Sequence, residues 1–459
     1  MIPPKPAARP DRVPLWTYAR LFRRDILSAQ PARLYRAWMA EFRTPFFRSY
    51  LVNDPALLDL VLRTRPGDFP KSDRIREGLA PLLGRSIFVT NGAEWERQRR
   101  IVDPAFARGR LRAALPAMAD AATACLARLP EGEVEIEAAA SHVAADVIFR
   151  TLFSVPIEDE LARRVFEAFR AYQRAQPLLN VAALLPLPRW VPRPHARATR
   201  RAARSIRGAI AALVERRAAQ IADGTAPDDL ATKIMTTPDP ETGACFDAAE
   251  TVDQVAIFFL AGHETSASTL AWALYLLATH PEAQARVAAE SRGAADPSGR
   301  ASRDWSRPAL ADLATLPFTR DVLRETLRLY PPVPMMVREA TLPETFRGRA
   351  VPRGAQIVVS PWHLHRHGRL WDRPDAFDPD RWARGDATDS ARAAYLPFSA
   401  GPRVCPGAGF ATAEGVLLIA RIVGAFALDP VGPPPVPVAH LTVRARDGIR
   451  LRLTRRDPG

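Results

Sequence analysis

Three cysteines occur in 459 residues, and one of them, Cys405, stands where a thiol can be put to use. The stretch Phe398–Gly407 reads Phe-Ser-Ala-Gly-Pro-Arg-Val-Cys-Pro-Gly. Gly401, Pro402, Pro406 and Gly407 keep this backbone irregular and tight, and the apolar run Ala408–Ala427 that follows is expected to be helical. A sulfur just ahead of a helix N-terminus meets converging N–H groups and the positive helix end. Both lower a thiol pKa and favour the thiolate, the form that binds metal or attacks carbon. No second Cys or His stands at zinc-like spacing. Residue chemistry therefore leaves three uses for Cys405: a nucleophile, a single thiolate ligand to a cofactor, or an inert buried thiol. Cys125, in the apolar helical run 121–129, and Cys245, in the loop 242–246, read as structural.

Three other constellations could do chemistry. Glu264 and Thr265 lie in Ala261-Gly262-His263-Glu264-Thr265-Ser266, midway along an apolar stretch. A carboxylate beside a hydroxyl is expensive to bury unless used or paired. Its ordinary reading is a Thr265 hydroxyl bonded back to the Ala261 carbonyl and a Glu264 satisfied by an arginine; His263 reads as structural. Gly262 weakens a helix and removes bulk, as a close approach to the backbone requires. Trp95 and Arg99 are i and i+4, so an indole N–H and a guanidinium share one helix face and offer donors to a carboxylate. Glu325 and Arg328 are i and i+3, a pairing common on solvated helices.

Phe-x-x-Gly-x-Arg-x-Cys-x-Gly resembles the haem-ligand loop of cytochromes P450, and Gly407, Phe410, Ala411 and Glu414 continue the match. Ala-Gly-x-Glu-Thr resembles that family's oxygen-activation segment, and Trp95-x-x-x-Arg99 its propionate-holding helix. Glu325-x-x-Arg328, followed by Tyr330-Pro-Pro-Val-Pro334 and Val337-Arg338-Glu339, looks like its helix-to-strand passage beside the haem. Phe377-Asp378-Pro379-Asp380-Arg381-Trp382 resembles Phe-x-Pro-Glu-Arg-Phe, with Asp for Glu and Trp for Phe as departures. The resemblance implies a mainly α fold with a small β region, one domain (residues 15–459) around a buried haem b, behind a Pro-rich lead (1–14). It implies Cys405 as the iron's axial ligand, with Phe398 and Gly407 shaping its loop. It further implies Trp95, Arg99, Arg338 and Arg403 on the propionates, and Glu264 with Thr265 steering protons. Glu325, Arg328 and Arg381 become a structural set locking the Cys loop. The implied reaction inserts one oxygen atom from O2 into a lipophilic substrate, with electrons from a ferredoxin or flavodoxin type donor and its reductase. A peroxide-using peroxygenase or isomerase, or a non-catalytic haem sensor, could use the same loop; the acid–alcohol pair favours O2 with reductant.

These residues need elements to hold them. The long helix begins at a capping box, Asp247 with Glu250 three residues on, and runs to Ala278, about 48 Å at 1.5 Å per residue. Leu15–Phe42 is expected to be mostly helical, with a strand over Phe46–Val52 and a helix over Ala56–Arg63 capped by Asp54. Further expected elements are a short helix over Lys71–Leu83, helices from Leu111 to Ala222 with an apolar break at Pro177–Pro194, and helices over 228–236, 281–292 and 317–329. Hairpins are expected over Phe346–Ser360, turning at Pro352-Arg353-Gly354, and over Leu441–Leu453, turning at Asp447-Gly448.

Hydrophobic residues make up 47% of the chain, which supplies a sizeable core, and sparse cysteines argue against a disulfide framework. The net charge of +14 is carried almost wholly by arginine. No basic block is interleaved with aromatics, so no nucleic-acid partner is expected; Arg97 and Arg100 are expected to face outward and receive an acidic electron carrier. The first residues lack the apolar core of a secretory signal, and no uninterrupted apolar run reaches the roughly 18 residues that span a bilayer. A cytoplasmic protein without a transmembrane anchor is expected.

Overall fold

The structure, a computed structural model, describes residues 2–43, 48–175, 197–293, 304–305, 307–439 and 441–456. The Pro-rich lead lies against the body: Tyr330 Oη donates to the Pro4 carbonyl at 2.7 Å, and Arg9 Nε to that of Ala29 at 2.6 Å. The first helix, α1 (Leu15–Arg24), is shorter than expected. Buried Asp25 turns the chain by accepting from the N–H groups of Leu27 and Ser28, and Met39–Arg43 is already strand β1. It pairs antiparallel with β2 (Arg48–Val52). Asp54 caps the next short helix, accepting from Ala56 N at 3.0 Å with Pro55 in the first turn.

Helices α2 (Asp73–Leu83), α3 (Gly92–Val102) and α4 (Arg108–Arg128) follow, then strand β3 (Gly132–Glu135). After it come α5 (Ile136–Phe153), α6 (Glu160–Ala175) and α7 (Arg197–Ala222). The apolar break at Pro177–Pro194 lies outside the described residues. Helix α8 (Ala248–Ala278) starts at the expected box: Asp247 accepts from Glu250 N at 2.7 Å, and the Glu250 carboxylate from Asp247 N at 3.0 Å. Then come α9 (Pro281–Arg292), α10 (Pro317–Leu329) and α11 (Ala408–Ala425). Helix α8 is the axis, packed against α5, α7, α10 and α11. By length and composition α11 is apolar enough to cross a membrane, with a mean hydropathy of 1.5, although Glu414 and Arg421 interrupt its apolar run. In the fold it is a core helix between α4, α8 and α9.

Both expected hairpins are rewired. Strands β4 (Met336–Glu339), β5 (Glu344–Phe346), β6 (Arg349–Val351) and β7 (Gln356–Val359) come first. The hairpin there is β5–β6, turning at Arg347-Gly348, with Phe346 opposite Arg349. The Pro352–Gly354 turn instead sends β7 between β4 and β2 in the sheet β1-β2-β7-β4. At the carboxyl end, β10 (Val443–Ala445) pairs with β9 (Pro437–Ala439). Strand β11 (Arg450–Arg455) leaves the Asp447-Gly448 turn to pair with β3 and with β8 (Phe426–Pro430). Local turn chemistry is satisfied in both places; the partner strands are chosen by packing.

Candidate active site

Helix α8 is buried almost all round, yet in its middle Phe258, Ala261, Gly262, Thr265 and Ser266 are not fully buried, and Ala261 is exposed. Their spacing puts them on one face. An uncovered stripe in the middle of a buried helix borders an internal hollow. Gly262 stands at its edge, where an added Cβ would lie 2.3 Å from Ile148 Cδ1 of α5; this side chain is the close approach its sequence position called for. The Phe258 ring is 5.5 Å from Phe106, which is 5.5 Å from Phe410 and touches the Gly407 position. These rings join the open stripe to the Cys405 loop.

That loop is closed by Cys405 N donating to the Phe398 carbonyl at 2.9 Å. Gly401 is obligatory there, since φ is +69° and a Cβ would sit 1.8 Å from the Leu62 carbonyl oxygen. Cys405 is accessible although protein rings it, as befits a side chain facing an enclosed space. Burial pushes its free thiol up, with the Gly407 N–H and Arg99 pulling the other way. The helix-end expectation of a lowered thiol is thus overturned. Desolvation of an enclosed sulfur outweighs a helix terminus, so a thiolate here needs a bound cation to hold it. Cys125 is buried in α4, its thiol raised to about 11 by burial, and Cys245 is exposed in its loop.

Cations gather above the loop. Arg403 lies over the Trp95 ring at 4.3 Å, and its Nη1 is buried without a partner. Arg338, 7% exposed, has no acidic partner among the described residues; burial and Arg403 lower it to about 10. Lys71, which the sequence reading missed, pairs with Arg338 across an isolated antiparallel bridge and donates Nζ to the Ile87 carbonyl at 2.6 Å. Burial, then Arg403, Arg338 and Arg99, hold its ammonium well below the usual lysine range. Three enclosed cations without counter-charges are costly, and they fit a ligand carrying carboxylates. Arg99 is placed differently from Trp95: Nη1 donates to the Val404 carbonyl at 2.8 Å and Nε pairs with Asp103 at 2.8 Å. It braces the Cys loop and already has a counter-ion.

The expected outward docking face on α3 is not free. Arg97 pairs with Glu250, and Arg100 with Asp239 and Glu241. Helical angles place both arginines away from Trp95, but the start of α8 and the loop before it cover that side.

Glu325, Arg328 and Arg381 come together as expected. Arg328 holds both Glu325 oxygens at 2.8 and 2.9 Å, and Arg381 Nε reaches Oε1 at 3.0 Å, all three residues being buried. Arg328 also donates to the carbonyls of His365, Pro374 and Ala376. The His365 ring then accepts from Leu396 N at 2.8 Å, which extends the tie to the start of the Cys loop.

Glu264 and Thr265 are neighbours that point apart. Thr265 Oγ1 donates to the Ala261 carbonyl at 2.5 Å on the open stripe. Glu264 is buried toward the C-terminal hairpin, where Thr442 Oγ1 donates to its Oε2 at 3.4 Å. His263 is bonded to Ser141 Oγ at 2.8 Å and stacked on Phe259; burial lowers it to about 4, which keeps it neutral near pH 7. Ser266 donates to Glu414 at 2.9 Å, a fully buried acid raised to about 8 by desolvation. The role of Glu414 beyond the loop motif was not readable in the sequence, because it depends on α8 and α11 crossing.

The family model for cytochrome P450 matches residues 38–451. The chain is 34% identical to cyclooctat-9-en-7-ol 5-monooxygenase of Streptomyces melanosporofaciens, covering 92% of this chain and 89% of that one. It is 32% identical to pentalenene oxygenase of Streptomyces avermitilis, with 90% and 89% covered. Among solved structures it superposes on the haem domain of cytochrome P450DA with a TM-score of 0.78 at 23% identity, covering 100% and 98%. The retinoic acid bound cyanobacterial CYP120A1 gives 0.77 at 21%, covering 99% of each chain. The chain belongs to the cytochrome P450 family: it is a haem-thiolate monooxygenase, built around a cysteine-ligated haem iron, that uses O2, a lipophilic substrate and redox partners.

Proposed function

We propose that Cys405 is the axial ligand and that the haem occupies the hollow between its loop and the Ala261–Thr265 stripe of α8. The observation that carries this reading is the set of enclosed, uncompensated cations Lys71, Arg338 and Arg403 beside an accessible Cys405. These three, with Trp95 supporting Arg403, would hold the propionates; Arg99 positions the Val404 carbonyl and so the loop. Bound haem supplies the oxygen activation, thiolate donation favouring O–O cleavage. Thr265 delivers protons to the site from the open stripe by turning its hydroxyl from the Ala261 carbonyl, and Glu264, buried on the hairpin side of α8, resupplies it. The Glu325–Arg328–Arg381 set is structural.

The substrate we propose is a cyclic, mainly hydrocarbon molecule of terpenoid type, the kind named in two of the relatives, the hydrocarbon pentalenene and the alcohol cyclooctat-9-en-7-ol. The electron donor is an acidic ferredoxin or flavodoxin with its reductase, in the cytoplasm and without a bilayer anchor. Two measurements test the assignment: the spectrum of the reduced, CO-bound protein, which should show the red-shifted thiolate band, and a panel of cyclic terpenes scored for displacement of iron-bound water. A CO complex without that band sinks the ligand assignment; displacement by fatty acids but not terpenes sinks the substrate class.

A further inference from the structure

Four arginines from separate parts of the chain line one surface pocket of about 290 Å³, which shares no residue with the site around Cys405. Arg36 follows the single helical turn Ala32–Tyr35, Arg347 and Arg349 belong to the β5–β6 hairpin, and Arg369 comes from the loop after Gly368. Trp38, just ahead of β1, is part of the same wall. Two carboxylates reach this group. Asp54 pairs with Arg347 through Oδ2, while its Oδ1 caps the helix after β2. Glu41 Oε2 stands 3.7 Å from Arg349 Nη1. Arg36 and Arg369 have no acidic partner among the described residues, so four guanidiniums against two carboxylates leave two positive charges at the pocket.

The fold holds these cations in place. The Trp38 ring stacks on His367 at 4.6 Å, and the Arg369 guanidinium lies 5.5 Å from the Trp38 ring centre, a contact that positions a cation without neutralising it. The Trp38 carbonyl accepts from Asn53 N and Asp54 N at 2.8 and 3.0 Å. Gly368 N donates to the Tyr35 carbonyl at 2.8 Å, which ties the segment carrying Arg369 to the one carrying Arg36. Arg347 has a φ of +50° in a two-residue turn with Gly348 at +76°. Two positive angles suit a tight hairpin, but asparagine, aspartate or glycine usually takes the first place. An arginine there carries backbone strain that the turn does not require. We propose that this pocket binds a dianionic phosphate group, carried either by a small phosphorylated compound or by a lipid headgroup. Its volume lies at the lower edge of ligand-sized pockets, roughly 300–1,000 Å³, which admits a compact head and leaves the attached group outside. The excess of two charges matches a terminal phosphate, about −1.5 to −2 near pH 7. Guanidiniums that arrive from separate segments suit tetrahedral oxygens, which point in several directions, better than a single planar carboxylate.

The test uses haem-loaded enzyme, in which Lys71, Arg338 and Arg403 are already engaged, at neutral pH and fixed ionic strength. Titration calorimetry with inorganic phosphate should show one site, and the melting temperature should rise with phosphate concentration. Arg36→Gln and Arg369→Gln should each weaken that binding roughly ten-fold, as loss of a hydrogen bond between charged groups does, with the CO-bound spectrum unchanged. Arg369→Lys should keep part of the affinity, since it retains the charge and loses the fork. Arg353→Gln, which alters an exposed arginine outside the pocket, should keep all of it. If either pocket variant lowers haem content, Arg349→Gln takes its place, and wild-type affinity there counts equally against the site. Co-sedimentation with phosphatidylcholine vesicles doped with phosphatidic acid separates the two sources. Vesicle binding that is lost in Arg36→Gln and competed by free phosphate assigns the lipid headgroup; phosphate binding without vesicle binding assigns a soluble compound. Wild-type affinity in both Arg36→Gln and Arg369→Gln, or an equal loss in Arg353→Gln, means that diffuse surface charge holds the anion and overturns the proposal. So does the absence of both heat and melting shift at millimolar phosphate.

Discussion

Lys71 and Arg338 sit opposite each other across a two-residue antiparallel bridge, which places a half-buried and a buried cation side by side with Arg403 next to them. In the haem-free protein this arrangement is self-repelling, and a bound dicarboxylate relieves it. Lys71→Met should therefore stabilise the apoprotein in urea while speeding haem transfer to apomyoglobin. The opposite signs are the content of the prediction; destabilised apoprotein would show that the cluster is not strained by its own charge.

Replacing Cys405 with Ala should remove the red-shifted band of the thiolate-bound Fe(II)–CO complex, and Cys125→Ala and Cys245→Ala should keep it. Survival of the band in Cys405→Ala would put the ligand elsewhere.

Thr265→Ala should bind haem normally, because among the described residues its hydroxyl bonds within α8, to the Ala261 carbonyl. The reductant it consumes should increasingly appear as peroxide. Coupling equal to wild type would point to the neighbouring Ser266–Glu414 pair instead.

Breaking a buried ion pair by removing one partner costs about 3–5 kcal/mol, since the other charge is left without compensation. Glu325→Ala strands two buried guanidiniums and should lose at least that much in chemical denaturation, with poor haem incorporation. Glu325→Asp should recover part of it. A loss below about 1 kcal/mol would mean that the triad's charges are satisfied by backbone carbonyls alone.

Glu414 predicts a pH dependence of stability. Its folded value, about 8, lies above the ordinary 4.5, so between these limits the folded protein keeps a proton that the unfolded chain has released. The stability this acid allows is full below about 4.5 and is lost as pH rises through 8. Glu414→Gln lacks that loss, so its Tm relative to wild type should climb from pH 5 to pH 8. Glu137, raised to about 7, leaves a smaller slope of the same sign in the variant. A Tm difference that is flat with pH would show Glu414 already ionised.

The sequence by itself determined the helix starts, the loop and the order of the site motifs. Asp247 with Glu250, Asp54 with Pro55, and the Gly-Pro punctuation around Cys405 act within a few residues, and the structure realises each locally. The Glu325–Arg328 spacing was legible for the same reason, since i and i+3 meet on any helix. Tertiary structure decided everything that required knowing what lay opposite. Arg97 and Arg100 pointed away from Trp95 as helical angles demand, but only the fold brought Glu250 and Asp239 to meet them. Lys71 gained its place through a bridge to a strand far along the chain, and the Asp447-Gly448 turn led to a strand pairing with β3 and β8 because those edges were open to it. The Cys405 thiol shows the difference most clearly. Its sequence neighbours pull the pKa down, and the enclosure supplied by the whole fold pushes it up. Desolvation depends on every atom nearby, and no run of ten residues contains that information.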